Sequence, residues 1–199
     1  MICTKHIKVF CTIFVSFLAF NSYSQFGITG GLTLSNTMVR SEAINSRTMV
    51  GGMFGISYEY NFTNNERISF TNEMIWSSRN YKIQSEAFGE RIILDRYLTF
   101  PVLVNYRLKE DITASGGFEI GAPLFTTFME DEYKDGWFAF LVQLHFFKDE
   151  TVSPYIRSSI SPLPRLTYRQ VDQYGNLSEE IGEFRNIYFV IGCKIKFKK

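Results

Sequence analysis

The sequence predicts an all-β fold, an eight-stranded antiparallel up-and-down transmembrane β-barrel, and three observations carry that expectation. Residues 97–108 alternate: Leu98, Phe100, Val102, Val104, Tyr106 and Leu108 share one face of a strand, and Tyr97, Thr99, Pro101, Leu103, Asn105 and Arg107 share the other. A strand of this length, greasy on one side and mostly polar on the other, crosses a bilayer when tilted. Aromatic residues make up 17% of the chain, with 20 Phe and 11 Tyr. A soluble core of this size would be crowded by them, whereas a lipid-facing band and its interfacial girdles use them readily. The chain also begins in the manner of an exported protein.

Lys5, His6 and Lys8 make a positively charged start, residues 9–20 are apolar, and Asn21 ends the run before Ser22-Tyr23-Ser24. That order is the order of a secretory signal. The apolar stretch of about 12 residues falls short of the roughly 20 that a spanning helix needs. Residues 1–24 therefore read as a cleaved signal peptide and 25–199 as the barrel domain. No Cys follows the apolar run at the place where a lipoprotein signal would put it. Cys3 and Cys11 leave with the signal, so Cys193 remains alone, without an internal disulfide partner or a zinc ligand set. The formal net charge of +1 gives no reason to propose nucleic acid as a partner. No cofactor is expected.

The strands follow in order. The first covers about residues 26–36, the second 48–61, the third 66–82 and the fourth 91–108. The fifth covers 112–125, the sixth 137–147, the seventh 152–169 and the last 184–197. The connections alternate in length. Residues 38–47, 85–90, 126–136 and 170–183 are longer polar loops, whereas 63–65, 109–111 and 148–151 are tight turns of Asn, Asp, Lys, Glu and Thr. Short turns on one rim and longer loops on the other are the asymmetry of bacterial outer-membrane barrels, and eight satisfies their even count.

A soluble eight-stranded barrel or sandwich is the competing reading, and side-chain size decides against it. One face carries Phe54, Ile56, Tyr58, Tyr60 and Phe62 on the second strand and Phe138, Phe140, Val142, Leu144 and Phe146 on the sixth. An eight-stranded interior is only wide enough for modest side chains. The opposite face offers Gly27, Thr29, Gly31, Thr33, Ser35, Gly51, Gly55, Gly117 and Gly121, so the small set belongs in the lumen and the bulky set in lipid. Charge agrees with this assignment. Glu59, Glu73, Arg107, Glu119, Arg157, Lys194 and Lys196 share the parity of the small face, with Arg67 and Arg79 adding to them near the rims. A basic residue facing lipid at mid-membrane costs roughly 2–4 kcal/mol. Seven such charges in a narrow lumen are expected to pair across strands and plug it. Asn72 and Ser158 break the pattern on the lipid side.

Two stretches carry a family resemblance. Residues 26–36, Phe-Gly-Ile-Thr-Gly-Gly-Leu-Thr-Leu-Ser-Asn, resemble the opening of PorT-like outer-membrane β-barrel domains, and Tyr97-Leu98-Thr99-Phe100-Pro101 opens a run that resembles their mid-chain strand. The resemblance implies a small outer-membrane barrel without a defined activity, in a family of which some members are associated with protein secretion or surface assembly. The ending departs from the common pattern of a terminal aromatic, since Lys198 and Lys199 follow Phe197.

Chemistry is sparse. His145 is the one histidine outside the signal, its parity points it inward near the short-turn rim, and Ser153 is the nearest hydroxyl in sequence. A surface hydrolase would need its base at the opposite rim, so a hydrogen-bonded lumen residue is the expected role. No metal-ligand spacing is present, and the acidic run Glu130-Asp131-Glu132 lacks the glycine of a calcium loop. Loops on a rigid barrel are a usual place for binding residues, and Phe128, Tyr133, Tyr174 and Leu177 are the candidate partner contacts. The expected partners are outer-membrane lipid and other envelope or secretion proteins. The reading is a non-enzymatic structural or interaction barrel with a filled lumen. A small outer-membrane enzyme, a narrow solute channel and a soluble periplasmic ligand-binding barrel stand as alternatives.

Overall fold

The computed structural model describes residues 24–39, 44–62, 65–85, 89–127, 137–163, 166–171 and 177–197. Among them are eleven strands and no helix: β1 (Ser24–Val39), β2 (Ile44–Phe62), β3 (Asn65–Ser78), β4 (Tyr81–Ser85), β5 (Gly89–Ile93), β6 (Asp95–Lys109), β7 (Ile112–Thr126), β8 (Trp137–Phe146), β9 (Val152–Ile160), β10 (Leu166–Val171) and β11 (Leu177–Lys196). Eight of these build the wall, pairing antiparallel in the order β1, β2, β3, β6, β7, β8, β9, β11. β11 then returns to β1, so Ile28 faces Ile56 on one side and Ile195 on the other. Closure leaves the wall without an edge, which is the condition for strands in hydrocarbon.

The other three strands extend the wall beyond the long-loop rim. β4 pairs with the first part of β2 (Thr48 opposite Tyr81), β5 pairs with β4, and β10 pairs with the first part of β11 (Tyr168 opposite Gly182). The sequence predicts three unbroken strands where the structure has interruptions. The strand expected over 66–82 breaks at Arg79-Asn80, that over 91–108 at Leu94, and that over 152–169 ends at Ile160, with residues 161–163 outside any strand. Pro162, which offers no N–H to a ladder, accounts for the end of β9. At the first two, the ladder is replaced by single bonds: Arg79 N–H donates to Asp95 O at 2.8 Å and Thr127 N–H to Leu94 O at 3.2 Å.

Two expected loops are also shorter than their polarity suggests. β1 runs to Val39 and β2 starts at Ile44, while Val171 faces Leu177 across a hairpin where a loop over 170–183 is expected. Outside the membrane a ladder needs no apolar face, so alternation gives no signal for these extensions.

Outward and inward faces separate largely as parity predicts, the exception being Tyr58, expected in the lipid-facing set but only 4% exposed beside Phe26. Leu32, Phe54 and Val142 are 61%, 61% and 65% exposed, whereas Thr29, Thr33 and Glu119 are fully enclosed. Asn72 and Ser158 stay on the outer wall, the first half-buried and the second exposed. Two inward glycines let strands approach closely: a Cβ on Gly117 would stand 2.0 Å from Val102 O, and one on Gly55 would stand 2.2 Å from Met74 O. Any side chain there would push the ladder apart, so these glycines permit the tight coiling of a small barrel.

Candidate functional site

The interior is a stack of hydrogen-bonded layers, each assembled from strands far apart in sequence. Nearest the short-turn end, Glu59 of β2 receives two lysines. Lys148, in the turn between β8 and β9, pairs with its Oε1, and Lys196 Nζ of β11 lies 3.2 Å from its Oε2. Ser69 Oγ donates to Glu59 Oε1 at 2.7 Å and accepts from Lys148 Nζ at 2.8 Å. Beside it, Asn105 Nδ2 donates to Ser69 and Thr71, both at 2.9 Å, and its Oδ1 accepts from Ser115 Oγ at 2.7 Å.

The central layer is built on Glu73 of β3, whose carboxylate meets Arg157 Nη2 of β9 at 2.5 Å and Lys194 Nζ of β11 at 3.0 Å. Arg157 Nε donates to Gln143 Oε1 at 2.5 Å, and Gln143 Nε2 contacts His145 Nε2. Above it, the hydroxyls of Tyr155 and Thr29 lie 2.9 Å apart. Toward the long-loop end, Arg79 Nη2 donates to Glu119 Oε2 of β7 at 3.3 Å, and Nη1 lies 3.1 Å from Oε1. Its guanidinium lies 3.9 Å from the ring centre of Tyr188 and 5.0 Å from that of Tyr97. Glu59, Glu73 and Glu119 thus each have a cation from a distant part of the chain, which is the arrangement a desolvated charge needs.

Of the seven charges singled out in the sequence, six lie within these layers: Glu59, Glu73, Glu119, Arg157, Lys194 and Lys196. Arg107 does not. It shares their parity but sits at the short-turn rim, where its side chain is 36% exposed and pairs with Asp149 at 2.7 Å. Sequence reasoning put Tyr97 on the inner face but missed Lys148, Tyr155 and Tyr188. Tyr97, Tyr155 and Tyr188 are buried in the lumen with Met53, Ile75, Leu103, Leu141 and Val190, so bulky groups occupy part of the inside. For Tyr155 the signal is a glycine on the opposing strand: a Cβ on Gly192 would stand 2.5 Å from its ring. Phe128, Tyr133 and Tyr174 lie outside the described residues, and Leu177 opens β11 opposite Val171.

His145 and Ser153 do meet, at 3.3 Å between Nδ1 and Oγ. Ser153 also donates to Phe146 O at 3.1 Å, and both side chains are enclosed. The second histidine nitrogen faces the Gln143 amide, where a Ser-His-acid triad would have a carboxylate. No group of three or more metal-ligating side chains occurs among the described residues. At the short-turn mouth, a cavity of about 570 Å³ opens between the turns, lined in part by Glu59, Ser69, Arg107, Lys148, Asp149 and Lys196.

A family model described as outer membrane protein beta-barrel domain matches residues 16–157. Among solved structures, the chain is similar to the outer membrane protein OprG from Pseudomonas aeruginosa, at 9% identity and a TM-score of 0.54 over 90% of this chain and 98% of that one. It is also similar to Neisserial surface protein A, at 10% identity and a TM-score of 0.48 over 88% of this chain and all of that one. The attachment invasion locus protein of Yersinia pestis aligns at 12% identity and a TM-score of 0.48, again over 88% of this chain and all of that one. No curated protein matches the sequence.

Proposed function

Since the chain belongs to the outer membrane protein beta-barrel domain family and lies in the bacterial outer membrane, we propose that it is a non-enzymatic, non-conducting barrel. Its role on this reading is to present its loops to partners at the cell surface. The carrying observation is the Lys194–Glu73–Arg157 bridge, which spans β11, β3 and β9 across the interior. With Arg79 on Glu119 above and two lysines on Glu59 below, charged side chains occupy the cross-section at three levels. Eight strands enclose little more volume than such side chains fill, so no aqueous path remains.

On the same reading residues 1–24 direct export and are removed, and the barrel is of the PorT-like kind, supporting surface assembly or secretion. Phe128, Tyr133, Tyr174 and Leu177 are then the apolar contacts of the long-loop rim. Planar-bilayer recording of the purified full chain tests the plug: brief or absent openings are expected, and steady high-conductance openings would overturn it. Cross-linking in intact outer membrane with substitutions at the four loop residues tests the scaffold role, because an unchanged set of partners would remove it.

A further inference from the structure

We infer that the short-turn mouth, the periplasmic end in barrels with this loop asymmetry, is a binding site for a phosphate-type anion, held by Lys148 and Lys196. The cavity of about 570 Å³ at the short-turn end is concave, and its floor is Glu59 with Ser69. Two ammonium groups share the single carboxylate of Glu59 there. The other acid on the lining, Asp149, is engaged by Arg107 at 2.7 Å, and Arg67 adds a further cation. Lys148, Lys196 and Arg107 against Glu59 and Asp149 leave these groups one positive charge in excess.

In the interior such an excess would be prohibitive, but at a mouth between low-dielectric walls it focuses a positive field on the opening. A phosphate oxygen brought between the two lysines accepts charge-assisted bonds from both, which a single carboxylate at the floor leaves partly unused. Lys148 Nζ is already oriented, because Ser69 Oγ holds it at 2.8 Å. The volume also exceeds that of one phosphate and admits a phosphorylated group attached to a larger body. Free phosphate in the periplasm and the head group of an anionic phospholipid in the adjacent leaflet offer the same chemistry.

The test uses the full chain in zwitterionic nanodiscs titrated with inorganic phosphate, and in parallel nanodiscs containing phosphatidylglycerol, with retained lipid counted by native mass spectrometry. Saturable binding is expected for one of the two probes. Lys148→Gln and Lys196→Gln should each weaken it about tenfold, the equivalent of one charge-assisted hydrogen bond. Glu59→Gln should act oppositely and tighten it about tenfold, because both lysines are released to the anion. A purely structural role for the three residues would not produce opposite signs. Phosphate binding without lipid retention assigns a soluble ligand, and retention alone assigns the head group. Absence of saturable binding in both wild type and Glu59→Gln overturns the site, as does unchanged binding in both lysine variants. If one lysine variant fails to fold, the other and Glu59→Gln carry the same decision.

Discussion

Phe147 and Lys148 occupy each other's expected places: the phenylalanine ring stands outside the barrel, 52% exposed, and the lysine turns inward onto Glu59. Alternation along β8 puts Gln143 and His145 inside, so residue 147 should follow them. Phe147 instead adopts a left-handed backbone with φ of 52°, which inverts the alternation at that residue. Its N–H donates to Asp111 O at 2.8 Å and its carbonyl accepts from Glu150 N–H at 3.0 Å. The turn thereby delivers a cation to a carboxylate that strand geometry would not have supplied.

This backbone makes a substitution order testable. Phe147→Val keeps an apolar surface but places a β-branched residue in the left-handed region, whereas Phe147→Asn loses apolar surface and tolerates that region. Phe147→Val should be the less stable variant by about 1 kcal/mol or more. Urea unfolding in detergent micelles, followed by tryptophan fluorescence, reads the order. The reverse order would mean that lipid contact, not backbone strain, governs the position.

Gly192 leaves room for Tyr155. A methyl group there would stand 2.5 Å from the ring and 2.8 Å from Gly30 O. Gly192→Ala is expected to lower stability by about 1–3 kcal/mol through overpacking. Tyr155→Leu in the same chain should recover part of that loss, since the ring is removed while the backbone contact stays. A double-mutant cycle showing no coupling would contradict this packing.

The two ends of the central bridge are not equivalent. Arg157→Met leaves Glu73 paired with Lys194, but Glu73→Gln strands both Arg157 and Lys194. Glu73→Gln, although the smaller change in volume, should therefore be the costlier, at about 3–5 kcal/mol for a buried charge left unpaired. Equal losses in equilibrium unfolding would show that the three residues do not act as one network.

Burial holds the Lys148 ammonium below the ordinary lysine range, an effect that the Glu59 carboxylate opposes. A lysine with a depressed folded value binds fewer protons in the folded chain than in the unfolded one, between that value and the unfolded value of about 10.4. Stability consequently rises with pH across that window. Wild type should gain on Lys148→Met between neutral pH and about pH 10.5, measured as the difference in unfolding free energy. A constant difference, or a loss, would show that the ammonium is not desolvated.

Sequence alone determined the wall. A two-residue period, turns of alternating length and charges confined to one parity admit one arrangement, because a single residue of slip would turn the lipid-facing Phe54 and Phe140 inward and Glu59, Glu73 and Glu119 into lipid. Of the seven charges that the same logic assigned to the lumen, six lie there. It could not reach their partners, since parity says which way a side chain points and not how high in the barrel it stands. That Arg157 meets Glu73 while Arg107 stops at the rim follows from the stagger between strands, which only the closed sheet sets. Lys148 is the limiting case. One left-handed residue moved it from the outer surface to the lumen mouth, and local backbone geometry of that kind leaves no periodic trace in the chain.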